Sequence, residues 1–401
     1  MESKLLSGES LDEVSLYESR TTFYDRRNRV LDHLLARFSE SFNEYVFMMY
    51  QLSQNTSGMG SLSFDYEDLI EDKQKFINNY PEISSNRGLG MDYLNATINE
   101  TTKELEFEPF WNTNHRGGYE KRVAKLLGIN EIPLRNIVTE ESAQTQWTVE
   151  TEPEHFVFKI VSPAVGLQEK WDWAQLHFLD QNLYKIDNIG AKFYLYLVDE
   201  TKKIARLNKS FDTESEAYDY LVFMIKTMNI YYENFYCLEH ILLRPFDNTF
   251  FTDDDLLTVC LNDDCNDEAN NDSYSFKATI VLPGYISRFK NLIFRKYAEK
   301  IFRQEAPAHV LLKICWVNVE DMLGFQKTYK NWLKNYRKYK IHFCNNTLTK
   351  TEATKYRKAL HELILALKEL NTLYPEGNLY DCQLSESNNP IILGNTSLGT
   401  L

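Results

Sequence analysis

Val281 to Leu333 reads VLPGYISRFKNLIFRKYAEKIFRQEAPAHVLLKICWVNVEDMLGFQKTYKNWL. Its order is strand, turn, amphipathic helix, buried strand and second helix. Leu292, Phe294, Tyr297, Ile301 and Phe302 recur at helical spacing, and Ala308 to Trp316 is a nearly unbroken apolar run of strand length. Between them lies Glu305-Ala306-Pro307-Ala308-His309. Pro307 cannot continue the helix and biases residue 306 towards extended backbone, so the helix must stop there. The spacing predicts one compact strand-helix-strand unit over 281–316, with Ile280–Leu282 and Val310–Trp316 in one sheet.

Outward from this stretch, Phe276 to Leu282 and Cys237 to Leu243 read as strands. His155 to Val161 and Phe193 to Val198 are further strands, rich in aromatic and β-branched residues. Asp199 to Lys202 turns the latter into Lys203 to Leu207. Thr213-x-x-Glu216 is a capping box that opens a helix to about Met228. Near the N-terminus, Val30, Leu31, Leu34, Leu35, Phe38, Phe42, Tyr45, Val46 and Met49 form one helical stripe within Phe23 to Leu52. Helices are also expected at Tyr66 to Asn79, stopped by Pro81, at Asp92 to Leu105, and at Gly118 to Leu127, ended by Gly128. Two long helices, Val319 to Tyr339 and Thr351 to Thr372, follow the opening stretch.

The fold class is therefore α+β and multi-domain. It comprises an arm at 1–22, a helical domain at 23–140, an α+β domain with a ββα unit at 147–245, and an acidic loop at 246–275. A strand-helix-strand-helix module at 276–335 and C-terminal helices and tail at 336–401 complete it.

The formal net charge of −14 argues against a general nucleic-acid binder, because neutralising phosphates takes a basic surface. The charge is uneven. Ile286 to Lys358 carries 17 Lys and Arg against 5 Asp and Glu, a surplus of 12, whereas Pro245 to Ser275 carries 9 acidic residues and no basic one. Either segment reads as a solvated face, or the basic one meets an acidic neighbour in an assembly. Met1 to Arg29 is polar throughout and holds no signal-peptide core, and no run of 18 apolar residues occurs, so neither secretion nor membrane insertion is expected. Cys237 and Cys315 sit in apolar strands as small hydrophobes, as suits a cytoplasmic chain with reduced thiols.

Most catalytic signatures fail on inspection. Cys260 and Cys265 flank four residues, with no second Cys or His pair near in sequence to complete a zinc set. His361-Glu362 opens like a zinc-protease motif, but Leu365 stands where its second histidine belongs. Gly88-Leu89-Gly90 lacks the third glycine and preceding strand of a dinucleotide site. No catalytic residue, cofactor site or metal site is assigned. His240 and His309 read as structural histidines, and Arg244 as a partner for Glu239 or a neighbouring chain. The series Phe325, Tyr329, Trp332, Tyr336 covers one helix face beside Lys330 and Lys334. It is either a core stripe or a docking face, and the docking reading names these six as candidate partner-contact residues.

The ordered set of motifs resembles a known family. Leu238-Glu239-His240-Ile241-Leu242-Leu243-Arg244-Pro245 comes first, then Ser273-Tyr274-Ser275-Phe276 running into Val281-Leu282-Pro283, then Glu305-Ala306-Pro307-Ala308-His309 and Trp316. The segments 25–38 (DRRNRVLDHLLARF) and 120–129 (EKRVAKLLGI) supply earlier landmarks. Together they are similar to large baseplate proteins of phage-tail-like contractile injection systems, the antifeeding-prophage type among them. The resemblance covers residues 23 to 335. It implies a non-catalytic structural subunit, assembled in the cytoplasm and carried in the injection particle, that bridges hub and sheath and contacts other wedge proteins in six-fold copies. Family members are usually longer, so the chain is expected to be a short variant, half of a split gene, or a fragment. The ββα unit is similar to small stand-alone ββα repeat domains. Two other classes stay open: a metal-dependent enzyme with its site near Cys260 and Cys265, and a soluble adaptor or chaperone for one partner.

Overall fold

The computed structural model describes residues 19–38, 66–85, 88–94, 96–98, 105–107, 116–129, 145–151, 154–245, 256–257, 273–370, 372–373, 376–377 and 397–398. In chain order the elements are α1 (Arg20–Ala36), α2 (Tyr66–Ser85), β1 (Ala96–Ile98), β2 (Leu105–Phe107), α3 (Gly118–Leu126), β3 (Gln146–Glu150), β4 (His155–Ile160) and α4 (Leu167–His177). There follow β5 (Tyr184–Ile189), β6 (Lys192–Asp199), β7 (Lys202–Phe211), α5 (Glu214–Tyr232), β8 (Tyr236–Glu239), β9 (Lys277–Pro283), α6 (Leu292–Glu305), β10 (Leu311–Val317), α7 (Val319–Cys344) and α8 (Lys350–Glu369). The mixed α+β class expected from the sequence is the one observed. The arm at 1–22 up to residue 18, the stripe positions Phe42, Tyr45, Val46 and Met49, and the acidic loop from 258 to 272 with Cys260 and Cys265 lie outside the described residues.

The chain divides into two compact units, and the sequence-based boundaries differ from them. The first gathers Met1–Asn95, Thr113–Pro133 and Ser287–Pro307, and the second Ala96–Asn112, Leu134–Ile286 and Ala308–Leu401. The first unit packs α1 on α2, α2 on α3, and α3 on α6. Phe23, Leu31 and Leu35 of α1, Leu69, Ile70 and Phe76 of α2, and Phe294, Ala298 and Phe302 of α6 are buried. Val30 and Phe38, expected in the apolar stripe, are exposed instead. α2 does not stop before Pro81 but runs through it to Ser85. A proline forfeits one backbone hydrogen bond, and near the end of a 20-residue helix that loss is tolerated. Helix α3 ends where expected, with Gly128 in the left-handed region at φ 62°.

In the second unit the strand order β3-β4-β7-β6-β5 forms an antiparallel sheet. Helices α4 and α5 cover the side bearing Phe156 and Phe158: Trp171 meets Trp147, which stacks on Phe158, and Tyr220 and Phe223 meet Phe156. The ββα unit is β6-β7-α5. Thr213 accepts the amide of Glu216 at 3.1 Å, as the capping box requires, while the Glu216 carboxylate accepts the amide of Asp212 at 3.1 Å. The helix continues to Tyr232, one turn beyond Met228. None of the described residues within 92–105, where a helix is expected, is helical. Asp92 accepts the amide of Leu94 at 3.0 Å in a local turn, and Ala96–Ile98 pairs antiparallel with Leu105–Phe107.

The opening stretch behaves as its pattern predicts in one respect and departs from it in another. β9 and β10 are parallel neighbours, Leu311 opposite Lys277 through Val317 opposite Pro283, and β8 pairs antiparallel on the other side of β9. Central β9 is buried over Ala278–Pro283, which is why it reads as a continuous apolar run. Helix α6, however, belongs to the first unit while both strands belong to the second, so 281–316 is not one compact body. Its amphipathic pattern requires an apolar partner without specifying which one. α7 is continuous from Val319 to Cys344, across the boundary expected at 335. The strand expected at Cys237–Leu243 ends at Glu239, and His240–Leu243 winds into a 3₁₀ turn.

Candidate functional site

The sequence-nominated contact residues part company in the structure. Phe325, Tyr329, Trp332 and Tyr336 are buried, Trp332 at 0% exposure. Their rings form a ladder along α7: Phe325 to Tyr329 at 5.4 Å, Tyr329 to Trp332 at 5.7 Å and Trp332 to Tyr336 at 5.1 Å, with planes within 25°. Tyr236 of β8 closes one end edge-on, and Tyr356 of α8 packs on Tyr336 and Tyr339 at the other. Burial pushes the Tyr356 phenol far up, so it stays protonated. The stripe is core, and the docking reading of these four aromatics is overturned: helical periodicity identifies an apolar face, and α8 together with the β8–β10 sheet supplies its cover. Lys330 is half-buried and Lys334 exposed.

What the structure does bring together are the motif segments themselves, each in its own unit. In the first unit Arg122 of α3 grips Glu305 of α6 with Nε to Oε2 at 2.7 Å and Nη2 to Oε1 at 3.2 Å, the side chains only 7% and 14% exposed. A planar guanidinium suits this two-point grip, which an ammonium cannot reproduce. Tyr119 and Tyr297 donate to the carbonyls of Phe302 and Leu126, and Arg288 to that of Gly128. Lys73 of α2, nearly buried, reaches Asn28 Oδ1 at 2.6 Å and Asp32 Oδ1 at 2.5 Å within the 25–38 motif.

In the second unit His240, at the end of β8, spans two other segments. Its Nδ1 lies 2.9 Å from the carbonyl oxygen of Ser273 and its Nε2 2.8 Å from Thr279 Oγ1 of β9. A carbonyl only accepts, so Nδ1 carries the proton and Nε2 accepts from the Thr279 hydroxyl. Burial, with Lys277 and Lys313 nearby, pulls the His240 pKa below its ordinary value despite the Ser273 hydrogen bond. The folded state thus holds His240 neutral while the unfolded chain takes up a proton near pH 6.5. The stabilisation is full above that pH and is lost as pH falls from there through the folded value. The thermal midpoint is expected to drop between pH 7.5 and 5.5, and His240→Gln to flatten that part of the profile; an equally steep profile in the variant would rule His240 out as its source.

Beside this lock, Phe276 adopts φ 54°, left-handed backbone that a bulky side chain rarely takes. The residue is 65% exposed, and its ring meets His309 edge-on at 5.1 Å. Its carbonyl accepts the amide of Leu311 at 2.7 Å, and Leu311 is 64% exposed. A motif residue, Phe276, and the first residue of β10, Leu311, are therefore backbone neighbours at one end of the β9–β10 pair, and both are exposed. No periodicity marks them, since Phe276 precedes its strand and Leu311 opens one. Arg244 is exposed and forms no ion pair with Glu239 among the described residues.

Among the described residues no group of three or more His, Cys, Asp or Glu side chains is placed to hold a metal, and no helix is long and apolar enough to cross a membrane. No protein-family model matches the chain, and no curated protein matches it.

Proposed function

We propose that the protein is a structural baseplate (wedge) component of a contractile injection system, linking hub and sheath through protein–protein interfaces. The observation that carries this reading is Phe276, a motif residue held in strained backbone and 65% exposed. Left-handed backbone costs a non-glycine residue on the order of 1 kcal/mol or more, and such strain persists where the surroundings over-determine it. Around Phe276 the motif segments of the second unit are tied to one another by His240; in the first unit Arg122 with Glu305, and Lys73, make ties of the same kind. In this reading those ties keep each unit rigid, and Phe276 with Leu311 anchors a neighbouring subunit. The partners are other wedge proteins, hub and sheath, and the particle assembles in the cytoplasm.

The test is incorporation of a tagged chain into native particles, read by negative-stain imaging and by the tagged fraction in purified particles. Phe276→Gly is the informative variant, because glycine takes φ 54° without strain and the ring fills no interior space. Its thermal midpoint is expected to equal or exceed that of the parent. Loss of an interface anchor typically costs on the order of 2 kcal/mol, so incorporation should fall about 30-fold. Parental incorporation of the variant would sink the Phe276 contact, and particles that never contain the tagged parent chain would sink the baseplate reading.

A further inference from the structure

Helix α5 is apolar nearly all round, a pattern that in a water-exposed protein belongs to a helix covered on both sides. One side is accounted for. Ala217, Leu221, Met224, Ile225 and Met228 are buried, and the helix packs on β5, β6 and β7. The other side is open: Tyr218 is 53% and Ile230 37% exposed, with Val222 half-buried between them, while Phe223, 41% exposed, flanks this face with its ring against Phe156. Tyr218, Val222, Lys226 and Ile230 follow one another at four-residue steps and form a single ridge, about 18 Å long at 1.5 Å per residue. The only charged residues in this outer face are Asp219 and Lys226, both exposed, and neither forms an ion pair or hydrogen bond within the chain among the described residues.

The placement of those two charges selects the occupant. Asp219 and Lys226 are seven residues apart, two helical turns, and their midpoint falls between Val222 and Phe223. An antiparallel copy of the same helix, related by a twofold axis at that midpoint, sets Asp219 against Lys226 and Lys226 against Asp219, with Val222 and Phe223 between them. A face of this kind is self-complementary, which is what an isologous contact requires. We propose that the outer face of α5 is a twofold interface between two copies of this chain, closed by reciprocal Asp219–Lys226 pairs. The proposal does not depend on the baseplate reading. A single pair of helices this short buries less than the roughly 1,200 Å² of a standard interface, so the dimer is reversible and concentration-dependent.

Sedimentation equilibrium of the full chain, at loading concentrations from about 10 to 500 µM, reads the association directly. The parent chain is expected to pass from monomer towards dimer over that range. Lys226→Asp places two carboxylates opposite one another at each end and should weaken dimerisation by about tenfold or more. The double variant Asp219→Lys/Lys226→Asp reverses both charges, restores the reciprocal pairing and should recover the parental constant. Both substitutions are on the surface, and far-UV circular dichroism checks that the fold is unchanged. A parent chain that stays monomeric to about 500 µM overturns the proposal. So does a dimer insensitive to Lys226→Asp, or a double variant no better than the single one.

Discussion

Trp332→Ala is expected to destabilise the second unit by about 3–5 kcal/mol, the cost of emptying a large buried aromatic site. Trp332 is the middle of the ring ladder on α7, stacked on Tyr329 and Tyr336 and sealed from solvent. Removing it leaves a void that neither neighbour can fill without leaving its own stack. Net stabilities of about 5–15 kcal/mol are typical of domains, so the loss is a large fraction of the whole. Urea unfolding followed by far-UV circular dichroism measures it. Trp332→Phe keeps most of the ring volume and should cost clearly less. Lys334→Glu, on the exposed side of α7, should change stability by no more than about 0.5 kcal/mol. A Trp332→Ala chain with the parental midpoint would mean that the ladder is not core.

The second large effect concerns Arg122 and Glu305. Glu305→Gln removes the carboxylate charge that the buried Arg122 guanidinium grips, and breaking such a pair costs about 3–5 kcal/mol. Arg122→Met strands the carboxylate to similar effect. The double variant Arg122→Met/Glu305→Leu strands neither and should recover most of the loss, because apolar replacements of buried pairs are often neutral. A double-mutant cycle in urea should therefore return a coupling above about 2 kcal/mol. Additive effects, with coupling below about 0.5 kcal/mol, would show that the pair does not tie α3 to α6.

Much of the local structure was legible in the residues. The capping box at Thr213 and Glu216, the glycine stop at Gly128, the helix stop before Pro307 and the paired strands β9 and β10 all follow from backbone chemistry or side-chain period. Less legible were β3, β5 and α4. β5 alternates weakly because Asp187 and Asn188 interrupt it, and its place is set by pairing with β6 across the two-residue turn at Gly190, φ 70°. α4 carries Trp171, Trp173 and several charges in 11 residues, a pattern whose inward face is apparent only once Trp147 and Phe158 are beneath it. The pairing of 96–98 with 105–107 is not legible, and a helix is expected over 92–105 instead, because two three-residue strands are too short to show alternation.

By itself the sequence determined which faces of most elements are apolar, where helices with a cap or a glycine stop begin and end, and the order of the motifs along the chain. Those properties are local: they depend on φ preferences, caps and a period of 3.6 or 2.0 residues. Tertiary structure decided what covers each face. The aromatic stripe of α7 has the spacing of a docking surface and the burial of a core, because α8 and β8 meet it. α6 has the pattern of a crossover helix within one domain, yet it joins α3 in the other unit, where Glu305 finds Arg122. His240 and Ser273 stand 33 residues apart and Arg122 and Glu305 stand 183 apart; no local rule pairs them, because the bonds form only after the backbone between them has been folded. The left-handed backbone of Phe276 is likewise imposed from outside, since no preference of phenylalanine would produce it.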